Sequence, residues 1–362
     1  MGICIPEALI SSTAEPASLR EWVAHCGSAG EFSGVVLVAR GARPVFEQAV
    51  GLAYRASGVA NTMDTRFNLG SINKTFTSVA IAQLVEAGRI DFDASIGTYL
   101  PDYPNPDAAR TITIHHLMTH TAGLPPYMSP RYMSERDRIH TLDDLVRVFA
   151  SRPLQFEPGS RQEYSNSGYV LLGRIVEEVG GTPYEAYVKT HIYDPAGMSR
   201  TGFEPLEATR TAKGYMVVGS DGHPVMSRGP TPAAVGPVNL KENTAMLDRG
   251  NPAGGGYSTA PDLVAFANAL RDGTLLGPAM TDHLLNGTFS GVQRPKHGYA
   301  LREQVVGGRR FVGNGGGAPG INAEFRFEPG GDYSVVVLSN LGPPSATAIL
   351  EHVLGVPDSL GA

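Results

Sequence analysis

The chain has 362 residues, 42% hydrophobic and 18% charged, with a formal charge of −6. This length makes one large domain or two, with enough apolar residues for a sizeable core. The mild acidity, with no Lys/Arg cluster, excludes nucleic acid as a partner. The 44 glycines and 27 prolines, about a fifth of the chain, point to many turns and close backbone approaches.

No apolar run reaches the roughly 18 residues of a membrane span. Met1 to Ser12 carries no Lys or Arg and is broken by Pro6 and Glu7, unlike a secretory leader, so the expected location is cytoplasmic. Cys4 and Cys26 cannot make a disulfide framework. They read as free thiols of a reducing compartment, with a single bridge as the alternative.

Trp22 falls in an N-terminal helical pattern as a packing residue. Ser33 to Arg40 is β-branched and Gly-flanked, a strand, and a second strand over Pro44 to Val50 follows as a hairpin across Gly41 to Arg43. A helix runs from Ser71 to about Glu86, with Phe76, Val79, Ala80, Leu84 and Val85 at helical spacing and Gly88 at its end. From about 90 to 240 the pattern is helices and loops. Helices are predicted at Thr113 to Thr119, Leu142 to Ala150 and Tyr169 to Val179, and a small hairpin over Val217 to Met226. Further on come a helix at Ala260 to Leu270 and strands at Tyr299 to Val306, Arg310 to Gly313, Ala323 to Phe327 and Tyr333 to Leu338. A closing helix spans Thr347 to Leu354. Strands at both ends and helices between predict an α/β fold of the α+β type, an antiparallel sheet flanked by helices with an inserted helical domain. The expected division is 1–88 plus 245–362 against an insertion at 89–244.

Three short patterns carry chemistry. Ser71-Ile-Asn-Lys74 opens the first strong helix. Positions i and i+3 share a helix face, so an amine can take the proton of a hydroxyl where the helix dipole favours an oxyanion. Tyr164-Ser-Asn166 precedes the strongest helix. A tyrosine there can relay a proton, and an asparagine can bind a lysine or a substrate amide. Gly313-Asn-Gly-Gly-Gly317 lets a ligand lie against bare backbone, or marks a tight hairpin turn.

Together these resemble the motifs of the serine β-lactamase and penicillin-binding-protein superfamily, including class C β-lactamases and class VIII esterases. The blocks Phe67 to Thr77, Thr113 to Pro125, Phe156 to Gly159 leading to Tyr164 to Asn166, Pro195 to Met198 with Thr201, and Pro252 to Thr259 resemble the same family in the same order. The resemblance implies the fold already read and an active site in a cleft between the two domains. It implies Ser71 as acylated nucleophile, Lys74 as base or base partner, and Tyr164 as proton relay. The oxyanion hole would be the N–H groups of Ser71 and Gly317. Asn166, Asn314, Gly315, Gly316 and Tyr127 would contact substrate.

One position departs from the family. Where relatives open the third motif with Lys or His, this chain has Asn314, which offers hydrogen bonds but no charge. That favours an uncharged ester or amide over a penicillin or D-Ala carboxylate, unless Arg249, Arg302 or Arg326 supplies the charge.

His115, His116 and His120 have metal-like spacing without a third ligand type and read as structural support, so no metal or organic cofactor is expected. Asp143-Asp144 and Glu177-Glu178 read as solvated helix faces. Tyr127 to Met133 reads equally as a packed loop or as the candidate segment for selecting an apolar acyl or alcohol group. The expected activity is carboxylic ester hydrolysis through an acyl-enzyme, on a small-molecule acyl substrate. The alternatives are an acyltransferase, a D-amino-acid peptidase or amidase, weak β-lactamase activity and, outside enzymes, an acylated sensor or binding protein.

Overall fold

The computed structural model describes residues 19–204, 210–219, 239–244, 249–286, 299 and 301–355. The chain enters through helix α1 (Leu19–Ser28) and the hairpin β1 (Gly34–Arg40) and β2 (Arg43–Val50). Four later strands complete the sheet: β3 (Arg302–Val306), β4 (Arg309–Ala318), β5 (Ile321–Phe327) and β6 (Tyr333–Ser339). The order is β2-β1-β6-β5-β4-β3, every pairing antiparallel. Val36 faces Val337 across the β1–β6 seam, which joins the early hairpin to the late strands.

Alternation divides the sheet residues between two cores. Val35, Leu37, Phe325 and Leu338 join Phe76 and Val79 of helix α2 (Asn73–Glu86) and Phe266 of helix α5 (Ala260–Arg271). Val36, Val38, Val335 and Val337 pack on the other side with Trp22 of α1 and Ile349 and Val353 of helix α6 (Ser345–Gly355). Both sheet faces are therefore covered, which explains unbroken apolar runs such as Val35 to Ala39. Trp22, 1% exposed, stacks on His352 at 3.8 Å.

Between the two strand groups lie short helices and two that shape the site, α3 (Ile114–Met118) and α4 (Asn166–Gly180). Their buried faces join the larger core. Thr113 and Ser165 cap α3 and α4 through their hydroxyls, and Gly181, at φ +73°, closes α4 in the left-handed conformation that favours glycine. Among the described residues no helix is long and apolar enough to cross a membrane.

The structure corrects several expected elements. The glycine-rich motif is the second half of a ten-residue strand, β4, and the reversal falls at Pro319-Gly320, where Gly320 has φ +77°. Tyr215–Val217 pairs with Leu240–Glu242; 220–238, including most of the expected hairpin, lie outside the described residues, as does Cys4. The helix expected to reach Ala150 ends at Arg147, and β3 starts at Arg302, not Tyr299. Short helices at Pro106–Thr111 and Pro130–Glu135 are additional. Each begins with a proline, which suits a first helical turn but reads as a loop in a short polar stretch.

Candidate active site

The site is built on a turn before α2. Phe67–Asn68 pairs with Tyr257–Ser258, Leu69 N–H donates to Gly256 O at 2.7 Å, and Gly255 N–H donates to Gly70 O at 3.2 Å. Gly70 has φ +51°, open to glycine at little cost, and a Cβ there would lie 3.0 Å from Gly316 Cα. Ser71 follows on a single 3₁₀ turn, Gly70–Ile72, and α2 continues from it, buried at every position from Asn73 to Ala82. The nucleophile candidate thus sits at the N-terminal end of a core helix, where partial positive charge faces it.

Lys74 is 1% exposed. Its Nζ lies 3.2 Å from Ser71 Oγ and 2.7 Å from Asn166 Oδ1, and it donates to Ala253 O. Burial holds its amine well below the ordinary lysine value, since no carboxylate offsets the loss of water. A neutral amine has two hydrogens and one lone pair. Asn166 Oδ1 and Ala253 O take the two hydrogens, leaving the lone pair for the Ser71 hydroxyl.

Tyr164 OH lies 2.5 Å from Ser71 Oγ, while the residue as a whole stays half exposed. Burial of the hydroxyl end raises its phenol, partly offset by the Ser71 hydrogen bond and the charge of Arg302. His120 fixes this segment from behind. Its Nδ1 accepts from Ser165 N–H at 3.2 Å, its carbonyl accepts from Glu163 N–H at 2.9 Å, and its ring centroid lies 4.7 Å from that of Tyr164. His120 does this at φ +61°, the one described non-glycine residue in that region.

β4 closes the other side. Asn314 is 7% exposed; its Nδ2 donates to Ser71 O at 3.1 Å and its Oδ1 accepts from Gly315 N–H at 2.9 Å. The expected substrate contact is therefore engaged with main chain, tethering the nucleophile turn. The three glycines after it answer to three neighbours. A Cβ on Gly315 would lie 2.7 Å from the Glu324 carboxylate, on Gly316 2.1 Å from Leu69 O, and on Gly317 2.8 Å from Pro343 Cγ. Ser71 N and Gly317 N border the same contact, within 2.8 Å of the Gly316 Cβ position and 3.3 Å of the Gly70 Cβ position respectively.

Ser71, Lys74, Tyr164, Asn166, Asn314, Gly316 and Gly317 are thus brought together. Tyr127 is buried wall: 3% exposed, its ring edge-on to Tyr132 at 5.4 Å, its N–H donating to Ser167 Oγ at 2.8 Å, its hydroxyl accepting from Asn251 Nδ2 at 3.5 Å and its phenol pushed up to about 12 by burial. Met128 and Met133, beside it in sequence, expose 54% and 60% of their surface.

The histidines serve different neighbours. His115 Nδ1 lies 3.1 Å from Tyr299 OH, His116 closes the α3 capping box, and His120 braces Tyr164. Among the described residues no three His, Cys, Asp or Glu side chains gather as a metal site. Of the three arginines, Arg249 is bound to Glu185 and Arg326 is buried against Glu324. Arg302 is exposed, acts on the Tyr164 phenol, and has no carboxylate partner among the described residues.

Two contributors escape sequence reasoning. The Ala253 carbonyl has no side-chain signature, and the brace by His120 depends on a backbone conformation. The only signal was that Ala253 and His120 fall inside blocks already singled out.

The family model described as Beta-lactamase matches residues 19–354. Esterase EstB of Burkholderia gladioli is 33% identical over 260 residues, covering 66% of this chain and 65% of its own. The crystal structure of a penicillin binding protein from Bacillus halodurans is 30% identical, with a TM-score of 0.75 over 90% of this chain and 96% of that one. The D-amino acid amidase of Ochrobactrum anthropi SV3, complexed with L-phenylalanine, is 25% identical, with a TM-score of 0.74 over the same shares, 90% and 96%.

Proposed function

From the premise that the chain belongs to the beta-lactamase family of serine hydrolases, we propose that it hydrolyses carboxylic esters through an acyl-enzyme on Ser71. Ser71 belongs to the domain formed by both chain ends, 1–88 plus 245–362, and Tyr164 to the insertion 89–244, with substrate entering between them. Ser71 Oγ attacks the ester carbonyl carbon while its proton passes to Lys74. The lowered amine and the raised phenol favour Lys74 over Tyr164 as acceptor. The N–H groups of Ser71 and Gly317 hold the tetrahedral oxyanion. As it collapses, the C–O bond to the alcohol breaks, and the alcohol takes its proton through Tyr164. Water then attacks the acyl carbonyl, Ser71 recovers its proton, and the acid leaves.

The observation that carries the ester reading is Asn314. It is neutral, and its amide is engaged by Ser71 O and Gly315 N–H, so no third-motif charge waits for a substrate carboxylate. The esterase among the relatives supports the same reading. The test is turnover of p-nitrophenyl acetate, butyrate and octanoate beside a chromogenic cephalosporin, with Ser71→Ala as control. Steady ester turnover lost in Ser71→Ala, with the cephalosporin intact, is expected; the reverse preference sinks the ester reading.

A second reading, hydrolysis of peptides that end in a D-amino-acid carboxylate, is favoured by Arg302, an exposed cation whose charge acts on the Tyr164 phenol and which has no carboxylate partner among the described residues. Under it, Arg302→Gln raises KM for substrates ending in a carboxylate and leaves neutral esters unaffected.

A further inference from the structure

On the sheet face opposite Ser71, β5 carries a buried ion pair that the reaction does not use. Ala323, Phe325 and Phe327 of β5 enter the larger core, so Glu324 and Arg326 project to the side covered by α6. They are 6% and 7% exposed and lie 3.0 Å apart. Thr347 Oγ1 of α6 donates to Glu324 at 2.8 Å, and Arg326 Nη1 donates to Asn314 O at 2.9 Å. Asn314 in turn donates to Ser71 O at 3.1 Å. A polar path therefore crosses the sheet from α6 to the nucleophile turn. Gly313 and Gly315 open the way: they pair with Arg326 and Glu324 in register, and a Cβ on Gly315 would strike the carboxylate.

A buried ion pair gains little stability over an apolar pair of the same shape, because both charges lose their water. Stability alone is a weak reason for one directly behind the third motif. We propose that Arg326, held by Glu324, is a positioning residue for the reaction: it fixes the Asn314 carbonyl from behind and so sets the tether between Asn314 and Ser71. A neutral asparagine at 314 then holds the nucleophile turn in register by hydrogen bonds, with the stiffness supplied across the sheet. The inference rests on the reading of Ser71 as the acylated residue.

The experiment is a mutant cycle read by the rate at which Ser71 is acylated by p-nitrophenyl butyrate in the burst phase, with phosphonylation of Ser71 by a fluorophosphonate probe, followed by intact mass, as the second readout. Glu324→Gln/Arg326→Gln removes both charges together, so neither is stranded. Asn314→Ala removes the tether. Each is expected to slow acylation by about ten- to a hundredfold with KM little changed, the size of a small misplacement of the attacking atom. Combining them is expected to cost no more than Asn314→Ala alone, because one acts through the other. Arg326→Lys, which keeps a donor and the charge, should recover part of the rate; if the double-glutamine variant does not fold, the cycle is run with Arg326→Lys. Losses that multiply, or wild-type acylation in the variant lacking the pair, overturn the positioning role alone. A wild-type protein that neither reagent acylates overturns the hydrolase reading and this inference together.

Discussion

The hydroxyl of Tyr164 lies 2.5 Å from Ser71 Oγ, closer than the 3.2 Å between that oxygen and the Lys74 amine. One serine proton cannot serve both contacts. With Lys74 neutral, the proton chain runs from the Tyr164 hydroxyl to Ser71 Oγ and from the Ser71 hydroxyl to Lys74. Tyr164→Phe keeps the ring against His120 and removes only the donor. It is expected to lower kcat for ester hydrolysis about 10²- to 10⁴-fold, the range for one positioned acid–base group. Steady-state kinetics check this; a loss under threefold would remove Tyr164 from proton transfer.

The pH profile follows from the two shifts. Lys74 is lowered well below 10.5 by burial, and Tyr164 is raised above 10.0 by its surroundings. For kcat/KM, one acidic limb is expected as Lys74 loses its proton, at a pH well below the ordinary lysine range, then a plateau, and a fall only beyond the ordinary phenol range. Lys74→Arg, which cannot become neutral, should abolish activity and not merely move the limb.

Stability carries the same sign. Between the lowered folded value of Lys74 and its unfolded value near 10.5, the unfolded chain binds more protons, so stability rises with pH across that window. Thermal melts of wild type and Lys74→Met should therefore converge or separate with pH in one direction only, the wild type gaining on the variant as pH rises toward 10.5. A pH-independent difference would mean that burial does not perturb this amine.

His120 is expected to act through Tyr164. His120→Asn keeps a residue that tolerates a φ of +61° but removes the ring 4.7 Å from Tyr164. kcat should fall about tenfold by misplacement of the phenol, with a small change in melting temperature. Unchanged kcat would reduce His120 to a loop support.

Glycine positions separate contact from conformation. Gly316→Ala places a Cβ 2.1 Å from Leu69 O and 2.8 Å from Ser71 N, and is expected to end Ser71 acylation. Gly330→Ala meets nothing within 4 Å and has no positive φ, so stability should stay within about 0.5 kcal/mol of wild type. Denaturant melts together with probe labelling read both variants.

Much of this was legible in the chain. The hairpin β1–β2 showed through β-branched runs around Gly41, and α4 through the spacing of Val170, Leu171 and Ile175 before Gly181. Ser71-x-x-Lys74 and Tyr164-x-Asn166 are weak patterns taken singly; their roles came through the resemblance of several blocks in the same order. What failed was context. Glycines at 315 to 317 leave ligand-facing backbone and a tight turn both open, since sequence cannot show that three different neighbours each exclude a Cβ from a strand. The bond from Asn314 to the Ser71 carbonyl spans 243 residues, so sequence could not show that its amide tethers the nucleophile turn. Arg326 read as a spare cation; only its alternation with Phe325 and Phe327, which enter the larger core, and its bond to Asn314 O show that it is held behind the third motif.

The span of these contacts also bears on when the protein becomes competent. Ser71 and Lys74 receive partners 93, 179 and 243 residues downstream, from Tyr164, Ala253 and Asn314. Such high contact order makes the reactive centre a late product of folding. A nascent chain that has emerged as far as α2 already carries the serine and the lysine. It lacks the carbonyl that orients the amine, the phenol and the strand behind the turn, and stays inert until the last sheet strands are synthesised and docked. Reactivity toward acyl compounds is thereby withheld during translation by topology.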